Sequence, residues 1–203
     1  MGAIEVGAEI AAVDLPEKIR AFVAIRVSTN VQRAIEDAIA ELRTDHDGIK
    51  WASAVNLHLT LKFLGPAVAL EKLRLLQPEL ETIAARTAAF ELEAAGLGGF
   101  PNLKHPHVLW VGLRSNALYD LATRIEDAAS RCGFEREQRS FRGHLTIARL
   151  KRPLLHPETR ARIEAAMTRD FGSSTIGEMT LYRSITAAAG PIYEALRIFE
   201  FKA

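Results

Sequence analysis

The sequence predicts an α+β fold of two pseudo-symmetric lobes, each a small, mainly antiparallel sheet with helices on its outer face, and an active cleft between them. Three observations predict it. Val55 to Gly65 (VNLHLTLKFLG) sets His58 and Thr60 two apart in an otherwise apolar strand. Phe141 to Leu150 (FRGHLTIARL) returns the same order as His144-Leu145-Thr146-Ile147, 86 residues further on. The segments around the two motifs also repeat at matched offsets: Ala21 to His58 and His107 to His144 are both 37 residues, and His58 to Glu91 and His144 to Glu178 are 33 and 34. Such self-similarity is the mark of a duplicated structural unit.

In the first half, Ala21–Val27 reads as a strand, Val31–Leu42 as a helix from its apolar spacing, the first motif as a strand, Leu70–Ala85 as a helix and Phe90–Leu97 as a strand. The second half repeats this with His107–Leu113, Ala117–Ala129, the second motif, Glu158–Met167 and Ile176–Arg183. A last strand, Pro191–Phe201, completes one sheet. Gly96–Pro106 and Ala187–Gly190 are rich in Gly, Pro or small residues and read as turns. Strand alternation puts Leu57, Leu59, Leu61 and Phe63 on a core face, with His58, Thr60 and Lys62 on the polar one. The two motif strands are expected at the centre of their lobes, with their polar faces meeting across the cleft. Residues 1 to 18 are expected to form a loosely attached extension and 19 to 203 a single bilobal domain.

Charge is balanced, with 26 Lys and Arg against 25 Asp and Glu, so no global positive field drives binding along a nucleic-acid backbone. The balance is uneven locally. Arg131 to Arg152 holds seven basic residues against Glu135 and Glu137, and this stretch surrounds the second motif, as an anion site would require. The single cysteine, Cys132, excludes an internal disulfide or a thiol cluster and fits a reducing compartment. No apolar run approaches the ~20 residues that cross a bilayer, and the N-terminus carries acids rather than a basic signal region. A cytoplasmic, monomeric protein is expected.

Two facing histidines can divide labour as general base and general acid near neutral pH. Each threonine, two residues along the same face, offers a hydroxyl to an anion held between them. The arrangement suits in-line displacement at phosphorus and calls for neither metal nor cofactor. Zinc hydrolysis would want a third ligand on the motif strands; a serine triad would want a G-x-S-x-G turn; and Gly96–Gly99 lacks the Lys-Ser/Thr of a P-loop. His105 and His107 flank Pro106 and read as a surface turn, and nothing is assigned to His46 or His156. Trp51 and Trp110 read as packing residues, and Lys62 as either a solvated lysine or a phosphate contact.

At these residues the chain resembles the two-histidine phosphoesterase superfamily and, within it, the RNA 2′,3′-cyclic phosphodiesterases once described as 2′-5′ RNA ligases. The motifs H-x-T-x-x-F and H-x-T-x-x-R stand here as His58 to Phe63 and His144 to Arg149. Phe22-Val23-Ala24-Ile25, Trp51, Leu64-Gly65, Val108 to Gly112, Leu181 to Ser184 and Gly190 to Tyr193 are similar too, so the resemblance spans roughly residues 20 to 201. One position departs: Gly143 stands where the family usually has proline, which leaves the backbone before His144 less restricted. Strict alternation also puts Arg149 on the face opposite His144, so the strand is expected to end or twist there.

The resemblance implies a metal-independent hydrolase of RNA or oligonucleotide 2′,3′-cyclic phosphate ends. It gives His58 as general acid, His144 as general base, and Thr60, Thr146 and Arg149 as phosphate ligands. Ligation to a 2′-5′ linkage would be the reverse reaction. Small cyclic nucleotides or ADP-ribose cyclic phosphate are alternative substrates, and an RNA-end or nucleotide binding module without turnover is the alternative class.

Overall fold

The computed structural model describes residues 15–44, 48–187 and 190–202. Most of the expected N-terminal extension, and His46, therefore lie outside the described residues. The elements run β1 (Lys18–Ile25), α1 (Thr29–Leu42), β2 (Lys50–Trp51), a 3₁₀ turn (Ala54–Asn56), β3 (Leu59–Ala69), α2 (Leu70–Ala85), β4 (Phe90–Phe100), β5 (Val108–Arg114), α3 (Asn116–Arg131), β6 (His144–Arg149), α4 (Pro157–Ala165), β7 (Asp170–Ile176), β8 (Glu178–Ala187) and β9 (Gly190–Glu200).

Helices α1 and α3 form where apolar side chains recur on one face. In α1, Val31, Ile35, Ala38, Ile39 and Leu42 are buried, and the Ser28 hydroxyl caps the N-terminus by accepting from the Val31 N–H. Ser28 is itself tied to β7, its N–H donating to Ser174 Oγ at 2.9 Å. Leu118, Leu121, Ala122, Ile125, Ala128 and Ala129 make the corresponding face of α3.

Two antiparallel sheets result, in the orders β3-β1-β8-β9 and β2-β6-β5-β4-β7. The lobes are not simply the two sequence halves. β4, from the first half, pairs with β5, and β8, from the second, pairs with β1, so each sheet borrows a strand from the other repeat. The motif strands are not central either: β3 lies at a sheet edge, and β6 has only the two-residue β2 beyond it. This placement lets β3 and β6 approach one another between the sheets. A single apolar cluster runs through both lobes, including Val23 and Leu59 from one sheet with Val111 and Leu145 from the other. On the opposite face of β1, Phe22 and Ala24 join Tyr182 in a separate cluster flanked by Tyr193.

One segment departs from the sequence reading, and one strand lies where that reading assigned almost nothing. Gly96 to Phe100 continues β4 instead of turning, because the indole of Trp110 lies across Gly98, where a Cβ would come within 2.1 Å of the ring. The polar stretch Asp170–Ile176 is a strand whose Phe171, Ser174 and Ile176 face inward; its glycine and serines resemble a turn in sequence. No helix among the described residues is long and apolar enough to cross a membrane.

Candidate active site

The two motifs share a backbone irregularity that alternation alone does not predict. Val23 and Ala24 pair with Lys62 and Thr60, leaving Leu61 as an extra residue in β3. Leu109 and Trp110 pair with Ala148 and Thr146, leaving Ile147 as an extra residue in β6. Both β-bulges thus sit at the third residue after the histidine. An extra residue reverses the facing of everything beyond it, and the burial follows: Leu61 and Lys62, like Ile147 and Ala148, all turn inward.

Arg149 consequently reaches the face of His144 and Thr146, and with Thr60 these residues line one cavity of about 1190 Å³. The strand does change facing before Arg149, as expected, and it does so toward the cleft. Phe63 makes the equivalent move. It leaves the core face assigned to it by alternation, is 42 % exposed, and lies beneath the Arg20 guanidinium, 4.4 Å from the ring centroid. Lys62 is not a solvated lysine: it is 5 % exposed, and at the lining of this cavity its ammonium donates to Glu126 Oε1 and the Glu135 carbonyl, each at 2.7 Å.

His58 immediately precedes β3, and His144 opens β6. Their side chains are held alike. Nδ1 of His58 lies 2.7 Å from the Asn56 carbonyl and Nδ1 of His144 lies 2.7 Å from the Arg142 carbonyl, each two residues earlier. A carbonyl only accepts, so Nδ1 carries the proton in both rings and Nε2 is left for chemistry. Burial pushes both imidazoles below the usual histidine range, partly opposed by those carbonyls. Arg149 depresses both further, and Arg26 and His144 add to the effect on His58. The two histidines are therefore within electrostatic reach of one another, and both are biased toward the neutral form when no anion is bound.

His58 opens on a second cavity, of about 540 Å³. Its ring packs 4.9 Å from Phe22 and edge-on to Tyr193 at 4.8 Å, while Phe100 packs edge-on to His144 at 5.0 Å. These aromatic partners are not among the site residues expected from sequence. Phe22 and Tyr193 do stand within the flanks that carry the family resemblance, but nothing in their local pattern distinguishes them from core aromatics. Tyr193 is raised in pKa by burial, with Arg149 and Arg20 opposing.

Gly143 is more constrained than its lack of a side chain suggests. A Cβ there would meet the Leu113 carbonyl oxygen at 2.6 Å and Leu118 Cδ2 at 2.8 Å, and its own carbonyl accepts the Leu113 N–H at 2.9 Å. Close packing against β5, not backbone freedom, is what glycine supplies before His144. The basic stretch is partly neutralised, since Arg131 pairs with Glu79 and Arg136 with Asp127, whereas Arg149 has no acidic partner among the described residues. His105 and His107 are exposed, as expected of a turn, although His107 lines the larger cavity.

Comparison with known proteins agrees with this geometry. Residues 31–187 match the family model of the 2′-5′ RNA ligase superfamily. The RNA 2′,3′-cyclic phosphodiesterase of Archaeoglobus fulgidus is 33 % identical over 183 residues, covering 90 % of this chain and 100 % of that protein. The one from Methanocaldococcus jannaschii is 32 % identical over 179 residues, 88 % of this chain and 99 % of the relative. Among solved structures, a Thermus thermophilus protein superposes with a TM-score of 0.77 at 26 % identity, over 90 % of this chain and 98 % of the other. Escherichia coli LigT complexed with 3′-AMP superposes at 0.75 with 27 % identity, over 92 % and 100 %. With paired His-x-Thr strands, matching bulges and this breadth of similarity, the chain belongs to the 2′-5′ RNA ligase superfamily of two-histidine phosphoesterases.

Proposed function

We propose that the protein hydrolyses RNA or oligonucleotide 2′,3′-cyclic phosphate ends to 2′-phosphate ends. The observation that carries this reading is the matched pair of imidazoles, each with Nδ1–H engaged by a carbonyl, Nε2 left for chemistry and the Arg149 guanidinium within electrostatic reach. The names of the archaeal relatives, and the 3′-AMP held by LigT, support a nucleotide substrate.

In the proposed reaction His144 Nε2 takes a proton from water as the water oxygen bonds to phosphorus. The P–O3′ bond breaks on the opposite side, and O3′ takes the proton from His58 Nε2. The products are a 2′-phosphomonoester and a free 3′-hydroxyl, with one proton moved from His58 to His144. Thr60, Thr146 and Arg149 hold the nonbridging oxygens, where added negative charge develops. Because the free cleft disfavours imidazolium, the anionic substrate must itself stabilise the protonated His58. The catalytic unit is residues 19 to 203 taken together, since the apolar core runs through both lobes.

The test is incubation of the purified protein, in EDTA, with an oligonucleotide ending in a 2′,3′-cyclic phosphate, the product being assigned by ³¹P NMR. A 2′-phosphate is expected. Binding without turnover would instead favour an RNA-end binding module, and turnover confined to mononucleotides or ADP-ribose cyclic phosphate would move the substrate class.

A further inference from the structure

We propose that Lys62 and Glu126 form a clasp between the lobes that holds His144 in place for its part in the reaction, which makes both of them positioning residues. This rests on the acid and base roles proposed above. In-line displacement needs the base and the acid on opposite sides of phosphorus, and here they come from different sheets: His58 leads into β3 of the first, and His144 opens β6 of the second. The placement of one histidine against the other must therefore be fixed across the lobes. Glu135 to Gly143, the segment that delivers His144, has no helix or strand of its own to fix it.

Side chains set the path of this segment instead. Lys62, on β3 two residues after Thr60, crosses to α3 of the other lobe, where its ammonium donates to Glu126 Oε1 and to the Glu135 carbonyl, each at 2.7 Å. The same carboxylate oxygen accepts the Glu137 N–H at 3.1 Å, and Glu137 Oε1 in turn accepts the Arg139 N–H at 3.2 Å. Arg142 then presents the carbonyl that accepts from Nδ1 of His144. Ties thus recur every two or three residues from the first motif strand to the ring of the second histidine. A further lysine of the first lobe, Lys72 on α2, holds the start of the connection by donating to the Gly133 carbonyl at 2.7 Å. Lys62 is buried, and a buried ion pair contributes little stability that a well-packed apolar pair could not. What an apolar pair cannot do is hold the Glu135 carbonyl and the Glu137 N–H.

The experiment places Lys62→Met/Glu126→Leu, which fills the space without those hydrogen bonds, in the full chain with and without His144→Ala, and measures rates on the cyclic-phosphate oligonucleotide. With His144 present the pair of changes should lower kcat by ~10–10²-fold at little change in KM, the scale of a misplaced reacting group, even where the urea midpoint has recovered toward wild type. In the His144→Ala background the same changes should cost less than ~twofold, because the group that the clasp holds is gone. Should the double variant fail to fold, the near-isosteric Glu126→Gln carries the same comparison and should lose ~fivefold in kcat, only with His144 present, as a charge-assisted bond weakens. Glu79→Gln, which breaks the exposed pair with Arg131 that also joins α2 to α3, should leave kcat within ~twofold. A second readout is the ¹⁵N spectrum of the imidazoles, in which the double variant should lose the Nδ1–H preference of His144 and keep that of His58. Equal losses in both backgrounds, kcat restored along with the urea midpoint, or an unchanged His144 tautomer would overturn the clasp. The spectrum needs no turnover, so wild-type protein that fails to hydrolyse the oligonucleotide sinks the hydrolase reading, and the clasp then stands or falls on the imidazole signals.

Discussion

The ammonium of Lys62 reaches Glu126 Oε1 at 2.7 Å, joining the first motif strand to α3. The bulge at Leu61 turns Lys62 inward, and the same carboxylate oxygen also accepts the Glu137 N–H at 3.1 Å, so the pair anchors the loop that leads to His144. Neither residue is expected to touch substrate.

Lys62→Met should therefore destabilise the fold by ~2–3 kcal/mol in urea denaturation, somewhat below the ~3–5 kcal/mol of a fully buried pair broken on one side, because the Glu126 side chain keeps 21 % exposure. The double variant Lys62→Met/Glu126→Leu should recover part of the loss. A double variant as unstable as the sum of the singles would argue against coupling between the two.

Arg149→Ala should lower kcat/KM by ~10²-fold, as loss of a donor to the developing charge does. Arg139→Ala, an exposed loop substitution, should cost less than ~threefold and less still at high salt. Equal losses at both positions would replace a specific phosphate ligand with a diffuse basic patch.

The pH profile should reflect the depressed histidine pKa values. The acid must be protonated, so kcat/KM, which reports the free enzyme, should fall on its alkaline side from a pKa below the usual histidine value. Bound phosphate stabilises imidazolium, so the alkaline limb of kcat should lie at higher pH. Arg149→Ala removes a cation near both rings and should move the free-enzyme limbs upward. Coincident alkaline limbs for kcat and kcat/KM would contradict this account.

Gly143→Ala should cost ~1–3 kcal/mol of stability as an overpacked core site, and displacement of His144 should lower activity by ~tenfold or more. Gly143→Pro should fare no better, because its Cβ meets the same Leu113 carbonyl. Thermal melts and rates on the cyclic-phosphate oligonucleotide check both, and a stabilised, active Gly143→Pro would disprove the packing argument.

Loss of either histidine should cost ~10²–10⁴-fold on the normal substrate, yet the two should separate on a 3′-thio cyclic phosphate. Thiolate leaves without a proton, so His58→Ala should regain much of its rate and His144→Ala should not. Rescue of His144→Ala alone would reverse the roles, and rescue of neither would mean that His58 does not protonate the leaving group.

The residue types and spacing of the two motifs were legible in the sequence, because His-x-Thr on a strand places both groups on one face by local geometry alone. Helix α1 was legible for a like reason, its 3.6-residue apolar periodicity requiring no knowledge of partners, whereas α4, with only Thr159 and Ile163 buried, was legible from the repeated order of elements. Matched offsets likewise revealed the duplication. The strand exchange was not legible, since an offset records order along the chain and not which sheet edge a strand joins. Alternation failed at Phe63, Lys62 and Arg149 because a bulge is defined against the pairing strand: the extra residues Leu61 and Ile147 exist only relative to β1 and β5. The sequence by itself thus determined which side chains are available for acid, base and phosphate contact. Tertiary pairing decided which of them face the cleft, sending Arg149 to the candidate phosphate site and Lys62 into the interior, because register is a property of two strands and not of one.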